Sequence, residues 1–567
     1  MQPYNLRKRI NILLMDFINP WLNKDKKKTA CYTWIIFSIV LGIISSINTV
    51  TLTLDDTYLY QRFNDFEANK GFRKTIFTLF LNLDLASTGE LRTYGVSKVI
   101  HFLLHHIARD NASVYQFIIT TVHTLSGILI YKTLKRLKIA ELPCILSAIT
   151  FTLNPFNHLQ TFHHWSYLML PLYLVLLYCY LELGTIQKYE NECKLTWRNY
   201  IFSFILIFMI VFTGEYTLPM LGCTVLFFII YSIIKRNKKL VIFFIQHLVY
   251  EGVLVIGWSI LWKKILSENS VGRFVVQKLN FNFFYNIFLS TKESFKRFLF
   301  IGSNNKLDMG KDGVFSLNMM ILFITVIFIM LSIIYICFKE KITDYNHLVS
   351  WKTSIAITCF SLSSFAVYSL MSIIYNAGMS YRYFYSIFSL LTVTFIILFF
   401  SIFRNKKILY LLTICILVIF TGYNVIWYAF LKPTTANIDK EIVSKVTSAA
   451  NNGKNTMIVI TEDTVFGEVL LNSKCYRPLS VFSEAWASQT FFNNIFENVV
   501  YISPKDKIVD NLDNTVSIIG DDIILGNNYT TDTLTFNKQD IYIISNNRYT
   551  DERNYYTDVN DYLNYES

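Results

Sequence analysis

The sequence predicts an α-helical protein that crosses a membrane many times and ends in a small α/β region outside it. Three observations carry this. Of 567 residues, 53% are hydrophobic and only 16% charged, against about 25% charged in a soluble globular chain, and the mean hydropathy is +0.38. Apolar runs recur from residue 30 to residue 430, each near the roughly 20 helical residues that a hydrocarbon core of about 30 Å requires. Beyond residue 430 such runs cease and polarity becomes ordinary. Together these exclude a cytosolic enzyme, a disordered chain and a fibrous one.

In chain order, Leu6–Leu22 mixes Arg7, Lys8 and Arg9 with Ile10, Ile12, Leu13, Leu14 and Phe17, the pattern of an amphipathic helix lying on a membrane. Residues 1–29 therefore form a cytoplasmic interfacial segment. Apolar runs follow near 30–49, 113–131, 139–157, 166–184, 199–213, 217–234, 240–262, 317–338, 353–374, 384–403 and 408–430, about eleven spans in a membrane domain of residues 30–430. The first run follows Lys24-Asp-Lys-Lys-Lys28 and no small-residue cleavage site follows it, so it reads as a retained span.

Basic residues punctuate alternate connections: Lys26–Lys28, then Lys132, Lys135, Arg136 and Lys138, then Lys188, Lys194 and Arg198, then Lys235–Lys239, then Lys339 and Lys341, then Arg404–Lys407. All six fall on one side of an eleven-span count, which by the positive-inside rule is the cytoplasm. This explains the net charge of +12 as topology, with no nucleic-acid partner implied. The N-terminus is then cytoplasmic, and residues 431–567 lie outside.

Two outer loops are long, 50–112 and 263–316. Within the first, Val96, Val99, Ile100, Leu103, Leu104 and Ile107 recur at helical spacing and predict a surface helix over Val96–Ile107. The second carries eight Lys or Arg residues from Lys263 to Lys306, a charge suited to anionic lipid head groups. In the C-terminal region, 456–461, 516–519, 522–525 and 539–545 read as strands, and 438–451 and 483–496 as helices, a small α/β unit.

The residues with chemical potential crowd the outer turns. Leu54-Asp55-Asp56-Thr57 stands just past the first span. Paired carboxylates at a membrane boundary are costly to desolvate, so they bind, pair or react. One could serve as general base to an acceptor hydroxyl, the other orienting that acceptor or holding a metal; as a plain alternative, both belong to a solvated helix terminus. Around them are Glu90, Arg92 and Tyr94, then His101, His105 and His106, then His163 and His164, Glu215, and Arg382 between Tyr381 and Tyr383. Taken singly, each of these suits an interfacial anchor. An Arg between two Tyr also suits a phosphate beside a sugar or lipid face. None shows metal-ligand spacing, so no metal is assigned; a divalent cation stays open as cofactor. Glu251, one turn after His247, lies mid-span and is the one intramembrane acid singled out.

With the Asp pair and this layout in place, the chain resembles the polytopic GT-C glycosyltransferases, and more narrowly the bacterial O-antigen (serotype-converting) glucosyltransferases of the inner membrane. Leu54-Asp55-Asp56-Thr57-Tyr58 matches the acidic motif of that family, while Gly89-Glu-Leu-Arg-Thr93 stands where members often carry a Gly-Arg-Pro-like element. The resemblance implies a sugar donor on a polyprenyl phosphate, a lipid-linked or surface polysaccharide acceptor, inversion at the anomeric carbon, and Asp55 or Asp56 as base. It implies that Arg382 and lysines of the outer loops stabilise the leaving polyprenyl phosphate; Glu90, Arg92, His163, His164, Glu215, Tyr381 and Arg382 are the candidate substrate contacts by their place in the outer turns, with membrane lipids as further partners. Competing readings are a lipid-linked-sugar flippase, which would carry polar groups through the bundle interior and an internal repeat, and an O-antigen polymerase.

Overall fold

The computed structural model describes residues 40–81, 95–153, 165–265, 349–403 and 432–566, less short stretches within them (chiefly 215–217, 375–384, 462–479 and 547–552), together with Ile408 and Cys415. The described chain is mostly helical, with a sheet region confined to the C-terminal part. The segments 1–29, 317–338 and nearly all of 263–316 lie outside the described residues, as does most of 30–49 and 408–430.

After described helical residues between 40 and 47 come three helices, α1 (Leu54–Lys70), α2 (Phe72–Phe80) and α3 (Gly95–Ala108). The bundle follows: α4 (Ala112–Arg136), α5 (Glu141–Thr152), α6 (Trp165–Glu192), α7 (Trp197–Thr213), α8 (Leu218–Ile234), α9 (Lys238–Ile265), α10 (Trp351–Ile374) and α11 (Tyr385–Ile402). Each of the eight matches an apolar run of the sequence. Among the described residues three are long and apolar enough to cross a membrane, in α4, α6 and α9. Others are shorter apolar helices, α5 spanning only 12 residues.

Helix α4 packs along α5 and α6, α8 along α9 and α10, and α11 along α5 and α10. The shared core includes Phe151, Tyr178, Ile207, Val225, Phe243 and Phe244, all buried. On the outward faces of α7, α8 and α9 stand Phe202, Ile205, Ile230, Ile234, Ile242, Val253 and Ile256, all more than a third exposed. Apolar surface on that scale marks contact with lipid or a partner.

The bundle has two chemically distinct ends. At one, Arg136 of α4 lies over the Tyr180 ring, 3.7 Å from its centroid, and the Arg136 carbonyl accepts from Gln187 at 2.8 Å. Lys235 reaches Glu190 at 3.9 Å, and Lys135 meets Glu141 at 2.8 Å. Among the described residues, basic groups of the connections 132–138, 188–198 and 235–239 thus gather at one end. At the other end, α3 leans on α7 through a bond from Ser97 to the Thr213 carbonyl. There too Ser113 Oγ donates to the Thr49 carbonyl at 3.0 Å.

The C-terminal part comprises α12 (Lys432–Asn451), β1 (Thr456–Ile460), a 3₁₀ turn (Val481–Ser483), α13 (Ala485–Asn493), β2 (Asn498–Ile502), β3 (Lys507–Asp510), β4 (Thr515–Ile519), β5 (Ile523–Leu525), β6 (Asn528–Thr530), β7 (Leu534–Asn537), β8 (Ile541–Asn546), β9 (Arg553–Tyr556) and α14 (Val559–Glu566). One sheet runs β6-β5-β2-β1-β8-β9 and a second runs β3-β4-β7. β1 lies parallel between β2 and β8, with Ile458 facing Val500 and Ile543. Period-2 alternation makes two cores. Met457 and Val459 turn to α12 and α13, whereas Ile458 and Ile460 turn to β4 and α14. Two parts of the expectation are corrected here. Gln539 and Asp540, read as strand, form a 3₁₀ turn (Lys538–Asp540) that leads into β8. The helix expected over 483–496 ends at Asn493.

Candidate functional site

The head of the first outer loop is built from both directions along the chain. Residues 49–51 leave the end of the first apolar run and lead into α1, whose first turn holds Asp55 and Asp56. Acids in a first turn are favoured by the helix macrodipole, which is why Leu54-Asp-Asp-Thr starts a helix. Helix α4 fixes this lead from one side through Ser113 and Thr49, and Asn111 holds α4 in register by capping Ser113 N at 3.1 Å and Val114 N at 3.3 Å. From the other side Thr51 Oγ1 donates to Asp439 Oδ2 of α12 at 3.3 Å, and Ser480 Oγ donates to Asp439 Oδ1 at 2.7 Å. Helix α13 packs directly on α1. The C-terminal part therefore contacts both the lead into α1 and α1 itself.

Tyr60, Asn64 and Glu67, on one face of α1, meet α3. His105 Nε2 donates to Asn64 Oδ1 at 2.9 Å, the Tyr60 ring stands edge-on to His105 at 4.4 Å, and His106 Nε2 lies 3.3 Å from Glu67 Oε2. Phe63, Leu79 and Phe102 close the small core between α1, α2 and α3.

This corrects the expectation for α3. The helix is present, but His101 and His105 are buried against α1 and not presented outward. The exposed positions are His106 and the apolar Leu103 and Ile107. The reason is that α1 and α2 form a second layer over α3, so its polar face becomes an interior one. Among the described residues, His105 Nδ1 has no hydrogen-bond partner.

Burial, and secondly the neighbouring His106, lower the His105 pKa from 6.5 to about 4. An unfolded His takes up its proton near pH 6.5, so between about 6.5 and 4 the unfolded chain binds a proton that the folded chain refuses. The α1–α3 layer is thus at full strength above about pH 6.5 and weakens as the pH falls toward 4. Hydrogen exchange over residues 54–108 should show protection falling between about pH 7 and 5, and His105→Gln should flatten that fall. An unchanged acid limb in His105→Gln would assign it to other groups.

Asp55 and Asp56 are placed by their helix. Glu90, Arg92, His163, His164, Glu215, Tyr381 and Arg382 lie outside the described residues. Among the described residues no group of three His, Cys, Asp or Glu side chains is gathered as a metal ion would need. Sequence reasoning missed Asp439, although a signal was present: it falls within the apolar stripe Ile438, Ile442, Val446 of α12, where an acid must be bonded to be tolerated.

It also missed how polar the bundle interior is. Tyr178 Oη and His247 Nδ1 are 2.7 Å apart. One turn along α6, Glu182 Oε1 lies 2.5 Å from Ser203 Oγ. One turn along α9, Glu251 faces Gly222, where a Cβ would lie 3.6 Å from its Oε1. An apolar cavity of about 120 Å³, lined by Leu134, Leu176, Phe228, Phe360 and Val393 among others, opens between α4, α6, α8, α10 and α11. It sits near the basic end of α4, away from the Asp pair.

No family model, curated protein or solved structure matches the chain. What the molecule does must be argued from these arrangements.

Proposed function

We propose that the protein is a polytopic glycosyltransferase of a bacterial inner membrane. It moves a sugar, in the first instance glucosyl, from a polyprenyl-phosphate donor to a lipid-linked or surface polysaccharide such as O-antigen, with inversion. The observation that carries this reading is the Asp pair in the first turn of α1, at the end of the bundle opposite the basic connections. On the eleven-span topology that end opens to the periplasm, where a carrier-lipid phosphate lies at the surface. One carboxylate takes the proton of the acceptor hydroxyl as that oxygen attacks the anomeric carbon; the bond from that carbon to the phosphate oxygen breaks, and the polyprenyl phosphate leaves as an anion. Arg382 and the lysines of the 263–316 loop stabilise that developing charge, and Glu90, Arg92, His163, His164, Glu215 and Tyr381 bind the sugars. The exposed Leu103 and Ile107 of α3 suit a helix seated in the lipid surface.

A second reading, transport of a lipid-linked sugar, is favoured by one observation. Glu182, Tyr178, His247 and Glu251 line the interior of the bundle, with Glu182 Oε2, His247 Nε2 and Glu251 Oε2 lacking hydrogen-bond partners among the described residues. An interhelical hydrogen bond in a membrane averages only about 0.6 kcal/mol, so stability is a weak reason to keep such a set. Linkage and mass analysis of surface polysaccharide from cells with and without the gene separates the readings. The transferase adds a side-chain sugar to an otherwise intact polymer. Loss of all long-chain polysaccharide without the gene would point to flippase or polymerase instead.

A further inference from the structure

The C-terminal part makes a specific contact with the loop that carries the Asp pair, and the chemistry of that contact says what it is for. Asp439 is 5% exposed, in the second turn of α12. Its carboxylate takes one hydrogen bond from its own unit, Ser480 Oγ at 2.7 Å, and one from the first loop, Thr51 Oγ1 at 3.3 Å. Thr51 is itself 9% exposed and stands four residues before Asp55, with Thr49 tied to α4. The lead into α1 is thus held at two points two residues apart, one in the membrane bundle and one in the C-terminal part. A rigid two-point hold fixes where the first turn of α1 begins, and α13 packed on α1 fixes its tilt. Burial pushes the Asp439 carboxyl up to about 7, and the bonds from Ser480 and Thr51 and the field of Arg553 only partly offset this. A buried acid is a costly way to join two segments, and an apolar contact would join them as well. The carboxylate adds direction, since each oxygen has one assigned donor.

Resting on the glycosyltransferase reading above, we propose that Asp439 is a positioning residue: the C-terminal part completes the active site by holding, through Asp439 and Thr51, the segment that sets the place of Asp55 and Asp56. It touches no reacting atom. Misplacement of a catalytic group by about 1 Å can cost roughly 10²-fold in rate, so the effect belongs in kcat.

The test uses the full chain in membranes. Asp439→Ala and Thr51→Val should each lower kcat by roughly 10²-fold with KM for the lipid donor unchanged, and the double variant should be no worse than either single one, as expected of partners in one contact. Asp439→Asn should restore near wild-type kcat, because its Oδ1 can accept from Ser480 and its Nδ2 can donate to Thr51. Thr51→Val leaves the Asp439–Ser480 bond intact, so it reads the contact even if Asp439→Ala fails to fold. Undiminished kcat in Thr51→Val, losses that multiply in the double variant, or an Asn variant as poor as the Ala variant would overturn the proposal. Thr51→Cys with Asp439→Cys, in a chain whose nine native Cys are replaced by Ser, should cross-link on oxidation. Failure to cross-link overturns the contact whatever the activity, whereas a wild-type chain that moves no sugar overturns the enzymatic reading instead.

Discussion

Membranes carrying Asp55→Asn together with Asp56→Asn are expected to lose sugar transfer by roughly 10²–10⁴-fold, the contribution of a positioned general base. Asn keeps the size and much of the hydrogen bonding of Asp but cannot take a proton from an acceptor hydroxyl. Both residues lie in the first turn of α1, where the helix-dipole interaction of a carboxylate is worth about 0.3–1 kcal/mol, a small loss for the fold. The single substitutions separate the two roles. Loss of the base lowers kcat with KM unchanged, and loss of the orienting partner raises KM for the acceptor as well. The readout is the rate of sugar transfer from a polyprenyl-phosphate donor, with chain abundance measured in the same membranes. Transfer at the wild-type rate in the double variant would remove the base assignment.

The largest expected effect on stability comes from Phe63→Ala. Phe63 is 1% exposed and is the joint of the α1–α3 layer, its ring 5.5 Å from those of His101 and Phe102 and 6.0 Å from that of His105. Removing a buried Phe side chain costs about 3–5 kcal/mol where the surroundings cannot collapse. Here α13 packs on α1 from one side and α3 bonds to it from another, which limits collapse. The loss should appear locally, as proteolytic cutting or fast hydrogen exchange within residues 54–108, while α4–α9 keep their protection. Activity should fall with it, because α1 carries the Asp pair. Phe63→Leu, which keeps most of the apolar volume, should recover much of both. Unchanged protection in Phe63→Ala would mean that this layer is held from elsewhere.

How far the sequence alone reaches differs between the parts of the molecule, for physical reasons. Helices α4 to α11 lie where the apolar runs are, because lipid forces every backbone group into helical bonding and the run length reports it. Strands β1, β4, β5 and β8 were legible from Val and Ile runs. β3, β6, β7 and β9 were not, being three or four residues each and rich in Lys, Asn, Thr and Tyr, and β2 (Asn498–Ile502) was passed over although its Val-Val-Tyr-Ile run matches that of β1. Helix α1 was hidden for a different reason. Among its residues with described side chains only Phe63 is fully buried, so Tyr60, Phe63 and Phe66 make no broad apolar stripe. The layering over α3 turned His101 and His105 inward, which no pattern within α3 could announce. Asp55 and Asp56 were legible as chemistry, but their bracing by Ser113 and Asp439 joins residues 64 and 388 apart in the chain, a pairing that only the fold reveals.

The central claim is that the Asp pair opens onto the outer surface of the membrane. Its most direct test is labelling of Asp56→Cys, in a chain with its nine native Cys replaced by Ser, by a membrane-impermeant maleimide applied to cells whose outer membrane alone has been made permeable. Labelling before the inner membrane is breached, blocked by added polyprenyl phosphate, is the result expected. Labelling only after the inner membrane is opened would place the pair in the cytosol and contradict it.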